Sequence, residues 1–186
     1  MRARALAALA LLAAPAALAD AEVPMAQQAV LILKILKFDR SLQARAGDIA
    51  TIAILYADND PESEAVRVEL QGALEAAAHT VTFPLPIKVV HLPYSASKID
   101  AELADAKPTA AYVAPGLASQ VATLIKATRK STTLTFTGDE ALVRAGLAVG
   151  LVARGDRPTL LVNLPAAKAE GADLSSDLLR LSQVIR

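Results

Sequence analysis

The chain has 186 residues, of which 54% are hydrophobic and only 3% aromatic, and its formal net charge is zero. That length suits one well-buried domain and falls short of two ordinary ones. Balanced charge and scarce aromatic rings argue against a nucleic-acid partner, which needs a cationic face and rings for stacking, and the absence of cysteine excludes a disulfide framework, a thiolate metal site and a thiol nucleophile.

The amino terminus reads as an export signal. Arg2 and Arg4 precede the apolar run Ala5 to Ala14, and Ala17-Leu18-Ala19 has the small-x-small form accepted by signal peptidase. Cleavage is expected after Ala19, leaving residues 20–186 as a single α/β domain of periplasmic location. The run is shorter than the roughly 20 residues that span a bilayer. No cysteine follows the cleavage site, so a lipid anchor on the mature terminus has no attachment atom. Loss of Arg2 and Arg4 leaves 17 basic against 19 acidic residues.

Pro24 to Phe38 is densely apolar from Ala29 to Leu36, and its length, with Pro24 at the start, favours a helix over a strand. Asp39 to Asp48 reads as a polar connector. Thr51 to Tyr56 is a nearly unbroken apolar run, the pattern of a strand buried on both faces of a parallel sheet. Asp60 then stands as an N-cap before Pro61 at the first helical position, opening a helix to about Ala78 with Val66, Leu70, Leu74 and Ala77 inward.

The alternation continues with a strand at Ile87 to Leu92 and a helix at Ser97 to Ala106. A strand at Thr109 to Val113 and a helix at Leu117 to Lys130 follow. Leu134 to Phe136 lies in the next strand, and Asp139 caps a short helix to Ala145. Successive βα units imply a parallel sheet with right-handed crossovers, a three-layer αβα sandwich. After Gly146 there is no room for a helix. Leu147 to Ala153 and Thr159 to Val162, joined by Arg154 to Pro158, predict an antiparallel hairpin at one edge of the sheet. Asn163 caps a turn containing Pro165, Gly171 supplies a left-handed stop, and Ser175 caps a last helix with Asp177 in its first turn. Leu174, Leu178, Leu181 and Ile185 are expected on one buried stripe of that helix, with Leu174 stapled onto Leu179.

No chemistry-bearing constellation emerges. The eight glycines form neither a P-loop nor a dinucleotide fingerprint. His79 at a helix end and His91 inside a strand have no carboxylate or histidine partner at ligand spacing, and Ser119 and Ser131 have no triad context. Asp58, Asn59 and Asp60 resemble part of a calcium loop but lack its glycine and distal glutamate, and Lys126, Arg129 and Lys130 complement a helix dipole. No catalytic residue, cofactor or metal is expected. In a parallel sheet, ligands and partners gather outside the carboxyl ends of the strands. The candidate binding loops there carry Asp58-Asn59-Asp60, Pro93-Tyr94-Ser95, Pro115-Gly116 and Thr137-Gly138-Asp139.

Three stretches carry a family resemblance: ILKILKF with Lys37 and Phe38 ahead of TIAILY; Thr137-Gly138-Asp139 leading through a short helix to Gly146 and a hairpin; and VNLPAAKAEGADLSSDLLRLSQVI, which holds Asn163, Gly171, Ser175, Ser176, Leu178 and Leu179. With these, the chain resembles the YfiR/HmsC-like family of exported bacterial proteins. The resemblance implies a periplasmic regulator, not an enzyme. Such a regulator binds the periplasmic portion of an inner-membrane sensor or diguanylate cyclase, restrains cyclic-di-GMP synthesis, and is relieved by an outer-membrane lipoprotein or envelope stress; a homodimer is left open. Better-known members have cysteines and aromatic residues near the first helix, where this chain has Asp39-Arg40-Ser41, so disulfide-linked redox behaviour is not implied. Between Gly146 and the hairpin, Leu147-Ala148-Val149-Gly150 also replaces the family's usual residues. The alternative class is a small-solute-binding protein resembling one lobe of a transporter's receptor.

Overall fold

The computed structural model describes residues 22–155 and 157–185. The expected signal peptide and its cleavage site lie outside them, as does Asp156 of the hairpin turn.

Helix α1 (Met25–Lys37) starts where the Pro24 carbonyl accepts the Gln27 and Gln28 amides, both at 2.9 Å. It buries Ala29, Ile32, Leu33, Ile35 and Leu36 and leaves Lys34 and Lys37 in solvent. Strand β1 (Ala50–Tyr56) leads into α3 (Pro61–Thr80), where Asp60 Oδ1 accepts the Glu62 and Ser63 amides at 3.0 Å each. Then come β2 (Ile87–Pro93), α4 (Ile99–Ala106), β3 (Ala110–Val113), a 3₁₀ turn (Ala118–Gln120) running into α5 (Val121–Lys130), β4 (Leu134–Thr137) and α6 (Glu140–Ala145). Strands β5 (Val149–Arg154) and β6 (Arg157–Asn163) form the predicted hairpin.

The seven-stranded sheet has the order β2-β1-β3-β4-β5-β6-β7, and β5–β6 is its antiparallel pair. Alternation along the strands feeds two cores. Ile52, Ile54, Tyr112, Leu134 and Phe136 face α1 and α3, whereas Ala53, Leu55, Ala111 and Val113 face α4, α5 and α6. The three-layer α/β class expected from the βα rhythm is therefore the observed one.

Several local expectations are corrected. The connector after α1 contains a helix, α2 (Leu42–Ala46). Arg157 and Pro158 belong to β6, because Arg154 already pairs with Arg157 and the turn is tighter than five residues. The larger correction is at the carboxyl end. After α7 (Leu164–Ala169), α8 spans only Ser176–Arg180, and Gln183–Ile185 forms β7, parallel to β6. Ser182 stops the helix, its hydroxyl donating to the Leu179 carbonyl at 3.0 Å. The open edge of β6 then offers Val184 and Ile185 backbone pairing that a further helical turn could not. The expected leucine stripe ends at Leu178: Leu174 and Leu178 are buried, but Leu181 is 78% exposed and Ile185 lies in the strand. The antiparallel pair stands at the expected end of the sheet, with β7 added outside it.

Candidate functional site

The strand order reverses between β1 and β3, since α3 carries the chain outward to β2 and α4 brings it back across β1. A crevice opens at such a switch point, beyond the carboxyl ends of the strands. Beside it, over the ends of β3, β4 and β5 and against the start of α3, lies a cavity of about 380 Å³ lined in part by Gln28, Glu62, Tyr112, Gly116, Thr137 and Arg154.

Its floor is built by residues that must be small or internally satisfied. Tyr112, buried in β3, donates its hydroxyl to Gln28 Oε1 at 2.9 Å, and Gln28 Nε2 donates to the Val23 carbonyl at 2.8 Å. Burial holds the Tyr112 hydroxyl well above the usual tyrosine range, so it stays a neutral donor. Gly138 passes over this pair, and a Cβ there would stand 3.2 Å from the Tyr112 hydroxyl. Thr137 Oγ1 accepts the Asp139 amide at 3.2 Å, and Asp139 Oδ1 accepts the Ala141 amide at 2.7 Å, capping α6 as predicted. Gly116, at φ +85°, lies against the capping Asp60, where a Cβ would come within 2.7 Å of Oδ2. On the rim, Glu140 is held below the usual glutamate value, first by its hydrogen bond from Arg144 and then by Arg154.

Of the sequence candidates, Gly116, Thr137, Gly138 and Asp139 therefore meet at one cavity, with Asp60 behind Gly116. Asp58 and Asn59 are exposed on the β1–α3 turn and do not line it. Tyr94 packs instead against the core beside α4. Gln28, Tyr112, Glu140 and Arg154 were not singled out by the sequence. Only Tyr112 carried a signal, because a buried tyrosine requires a partner for its hydroxyl. Neither histidine enters the site: His79 is exposed, and His91 has its pKa lowered by burial with Nε2 unpartnered. Among the described residues no group of three or more His, Asp or Glu could hold a metal ion, and no helix there is long and apolar enough to cross a membrane.

The opposite end of the sheet is closed by a buried polar network. Asp39, directly after α1, pairs with Arg45 of α2 and accepts from the Ser41 hydroxyl at 2.7 Å and the Asp173 amide at 2.9 Å. Arg45 donates onward to the carbonyls of Thr109 and Thr132, at 2.6 and 3.0 Å. Burial by itself would raise the Asp39 carboxyl, but hydrogen bonds from Arg45 and Ser41, the charge of Arg45 and the Asp173 amide outweigh it and hold it below its usual value. The family-signature residues cluster at this end. The Phe38 carbonyl accepts the Ser175 amide at 2.9 Å, Asn163 Oδ1 caps α7 through the Ala166 amide at 3.1 Å, and Gly171 turns at φ +80° over Thr132. Ser175 Oγ accepts the Leu178 amide at 3.4 Å, Leu178 is buried and Leu179 packs partly buried on the same core, while Lys37 and Ser176 are exposed.

A sequence profile of the family described as YfiR/HmsC-like matches residues 26–183. No curated protein matches the chain in sequence. Among solved structures, a domain from Streptococcus pneumoniae in complex with L-Trp is similar at TM-score 0.59 and 19% identity, covering 87% of this chain and 60% of its own. A conserved domain protein of Vibrio cholerae O1 biovar El Tor gives 0.60 at 17% identity, covering 90% and 61%. The ligand-free, open form of a substrate-binding protein with adhesive properties from Clostridium difficile gives 0.56 at 15%, covering 82% and 59%. The chain thus spans about three fifths of each of these proteins, and the likeness is one of fold.

Proposed function

The chain belongs to the YfiR/HmsC-like family, and from that membership we propose that it is a periplasmic regulatory protein that acts by binding rather than by catalysis. Its partner is the periplasmic portion of an inner-membrane diguanylate cyclase or a similar sensor, which it restrains by contact. The observation that carries this reading is the family match across residues 26–183. At the cavity, Tyr112 donates to Gln28, and Thr137 and Asp139 are engaged at the start of α6. Restraint requires only that the regulator bind the inactive receptor more tightly than the active one, and an outer-membrane lipoprotein competing for the same regulator relieves it. Deleting the gene should raise cellular cyclic-di-GMP; unchanged cyclic-di-GMP and unchanged adhesion would count against the proposal.

The cavity favours a second reading, a small-solute-binding protein linked to a transporter or sensor. Its volume of about 380 Å³ is in the range that encloses a small metabolite, and similar folds include a substrate-binding protein and a domain complexed with L-Trp. Thermal-shift measurements against a metabolite panel separate the two: a ligand at 100 times its Kd would add about 2.7 kcal/mol of stability, and a flat panel would leave the protein-partner reading alone.

A further inference from the structure

Glu170, at the end of α7, is completely buried. Its Oε2 accepts the Thr135 amide at 2.8 Å, and its Oε1 lies 3.2 Å from the Thr128 hydroxyl and 2.9 Å from that of Thr135. Every donor is neutral, and among the described residues Glu170 forms no ion pair. The charges on the elements packed around it do not replace one. From α5, Arg129 pulls on it from an exposed position, and Lys126 and Lys130 are also exposed; from α7, Lys168 is exposed; from α2, Arg45 is committed to Asp39; β4 and residues 147–148 bring none. Asp39, joined to the Gly171 carbonyl through the Ser41 hydroxyl, has the opposite arrangement, a buried carboxylate with its own guanidinium.

We propose that Glu170 is a proton-operated latch: protonated, it fastens α7 to β4 and α5, and ionised, it loosens residues 164–175 from the sheet.

Both states can be wired. The Thr128 hydroxyl lies 3.3 Å from the Ile125 carbonyl as well as 3.2 Å from Glu170, so turning its proton to Ile125 frees an oxygen lone pair to accept a proton from Glu170 Oε1. Thr135 Oγ1 takes the Ala148 amide at 2.8 Å and can still donate to Oε2. The protonated carboxyl is therefore fully hydrogen-bonded at no cost in charge burial, whereas the carboxylate is a buried anion held by neutral donors alone. Burial prevails over those donors and over Arg129 and sets the carboxyl at about 7. The lever is the position: Gly171 follows directly, and then Asp173 and Ser175, whose backbones bond to Arg40 and Phe38 at the end of α1. Loosening the latch loosens that joint.

The sign is fixed by the raised pKa. Stability from Glu170 is fully present below its ordinary value of 4.5 and is lost as pH rises through about 7. Thermal unfolding of the mature protein and of Glu170→Gln between pH 5 and 8 tests this. Expected is a falling Tm for the natural sequence, steepest between the ordinary value of 4.5 and about 7 and levelling above about 7, and a profile for Glu170→Gln that lacks this decline. A natural-sequence profile without the fall, or a Glu170→Gln profile that keeps it, overturns the proposal. Because the variant can fail to fold, the natural protein labelled with ¹³C at glutamate carboxyls supplies a second readout. A Glu170 midpoint near neutral pH is expected, and one near 4.5 refutes the assignment. Hydrogen exchange of residues 164–175, corrected for intrinsic rate, should rise at least tenfold from pH 5.5 to 8, and unchanged protection would show that no latch opens.

Discussion

At the amino ends of the parallel strands, Asp39, Arg45 and Glu170 are buried and tie together segments far apart in the chain, Asp39 reaching Asp173 across 134 residues. At the carboxyl ends, charged groups such as Glu140, Arg144 and Arg154 pair with one another in solvent around an open cavity. The residues that carry the family resemblance fall at the closed end and the candidate binding loops at the open one, where Gly116, Thr137, Gly138 and Asp139 line the cavity. The difference is one of constraint: buried charge demands one arrangement, whereas a rim of solvated pairs constrains the backbone weakly.

Removing one partner of the closed-end pair is the severest way to break this contrast. Asp39→Ala leaves the Arg45 guanidinium, whose side chain is only 8% exposed, without its anion, and should cost about 3–5 kcal/mol in urea unfolding. Glu140→Ala at the open end, which removes only solvated pairs, should leave the unfolding midpoint where it was. Equal losses at the two sites would erase the distinction.

The two buried carboxylates of the closed end also predict opposite pH dependences. Asp39, held low, contributes stability above its ordinary value of 3.8 that is lost as pH falls through its lowered pKa, whereas the Glu170 contribution is lost as pH rises through about 7. Unfolding free energy between pH 3 and 8 should therefore decline at both limits. Asp39→Asn should flatten the acidic limb alone, and a variant that flattened both would show the groups to be coupled.

Smaller effects come from the caps, one at each end. Ser175→Ala and Asp139→Ala each remove a side-chain acceptor from a helix start and should cost about 1 kcal/mol. They should part company in binding. Asp139→Ala lies on the cavity and is expected to weaken partner or ligand affinity beyond its effect on stability, whereas Ser175→Ala should leave affinity unchanged. Equal affinity in both variants would remove the open end as the binding site.

What could be read from the sequence follows the range of the interaction. Asp60, Asp139, Asn163 and Ser175 were legible as caps and Gly171 as a turn, since each acts within a few residues. The closed-end network was not, because nothing near Asp39 in the chain indicates Asp173, Thr109 or Thr132. Glu170, in AKAEGAD, looks like any acidic residue near a helix end, and only the approach of β4 and α5 buries it. The cavity was half legible: topology pointed to the loops, while Gln28 and Arg154 join it through packing across the sheet.

A small expected effect most sharpens the reading of the carboxyl terminus. Leu174, Leu178, Leu181 and Ile185 share a helical spacing, and a buried Leu181 on such a stripe would cost about 2–5 kcal/mol to truncate. The spacing is met, yet the helix stops at Arg180, because Ser182 bonds back to Leu179 and the open edge of β6 recruits Gln183–Ile185. Leu181 is left on the turn between helix and strand, 78% exposed. Leu181→Ser should therefore shift stability by no more than about 0.5 kcal/mol. A loss of several kcal/mol in the isolated protein would mean that Leu181 is buried, by a longer helix or by a second copy. A measurement repeated across protein concentrations would tell these apart, since only the second makes the loss depend on concentration.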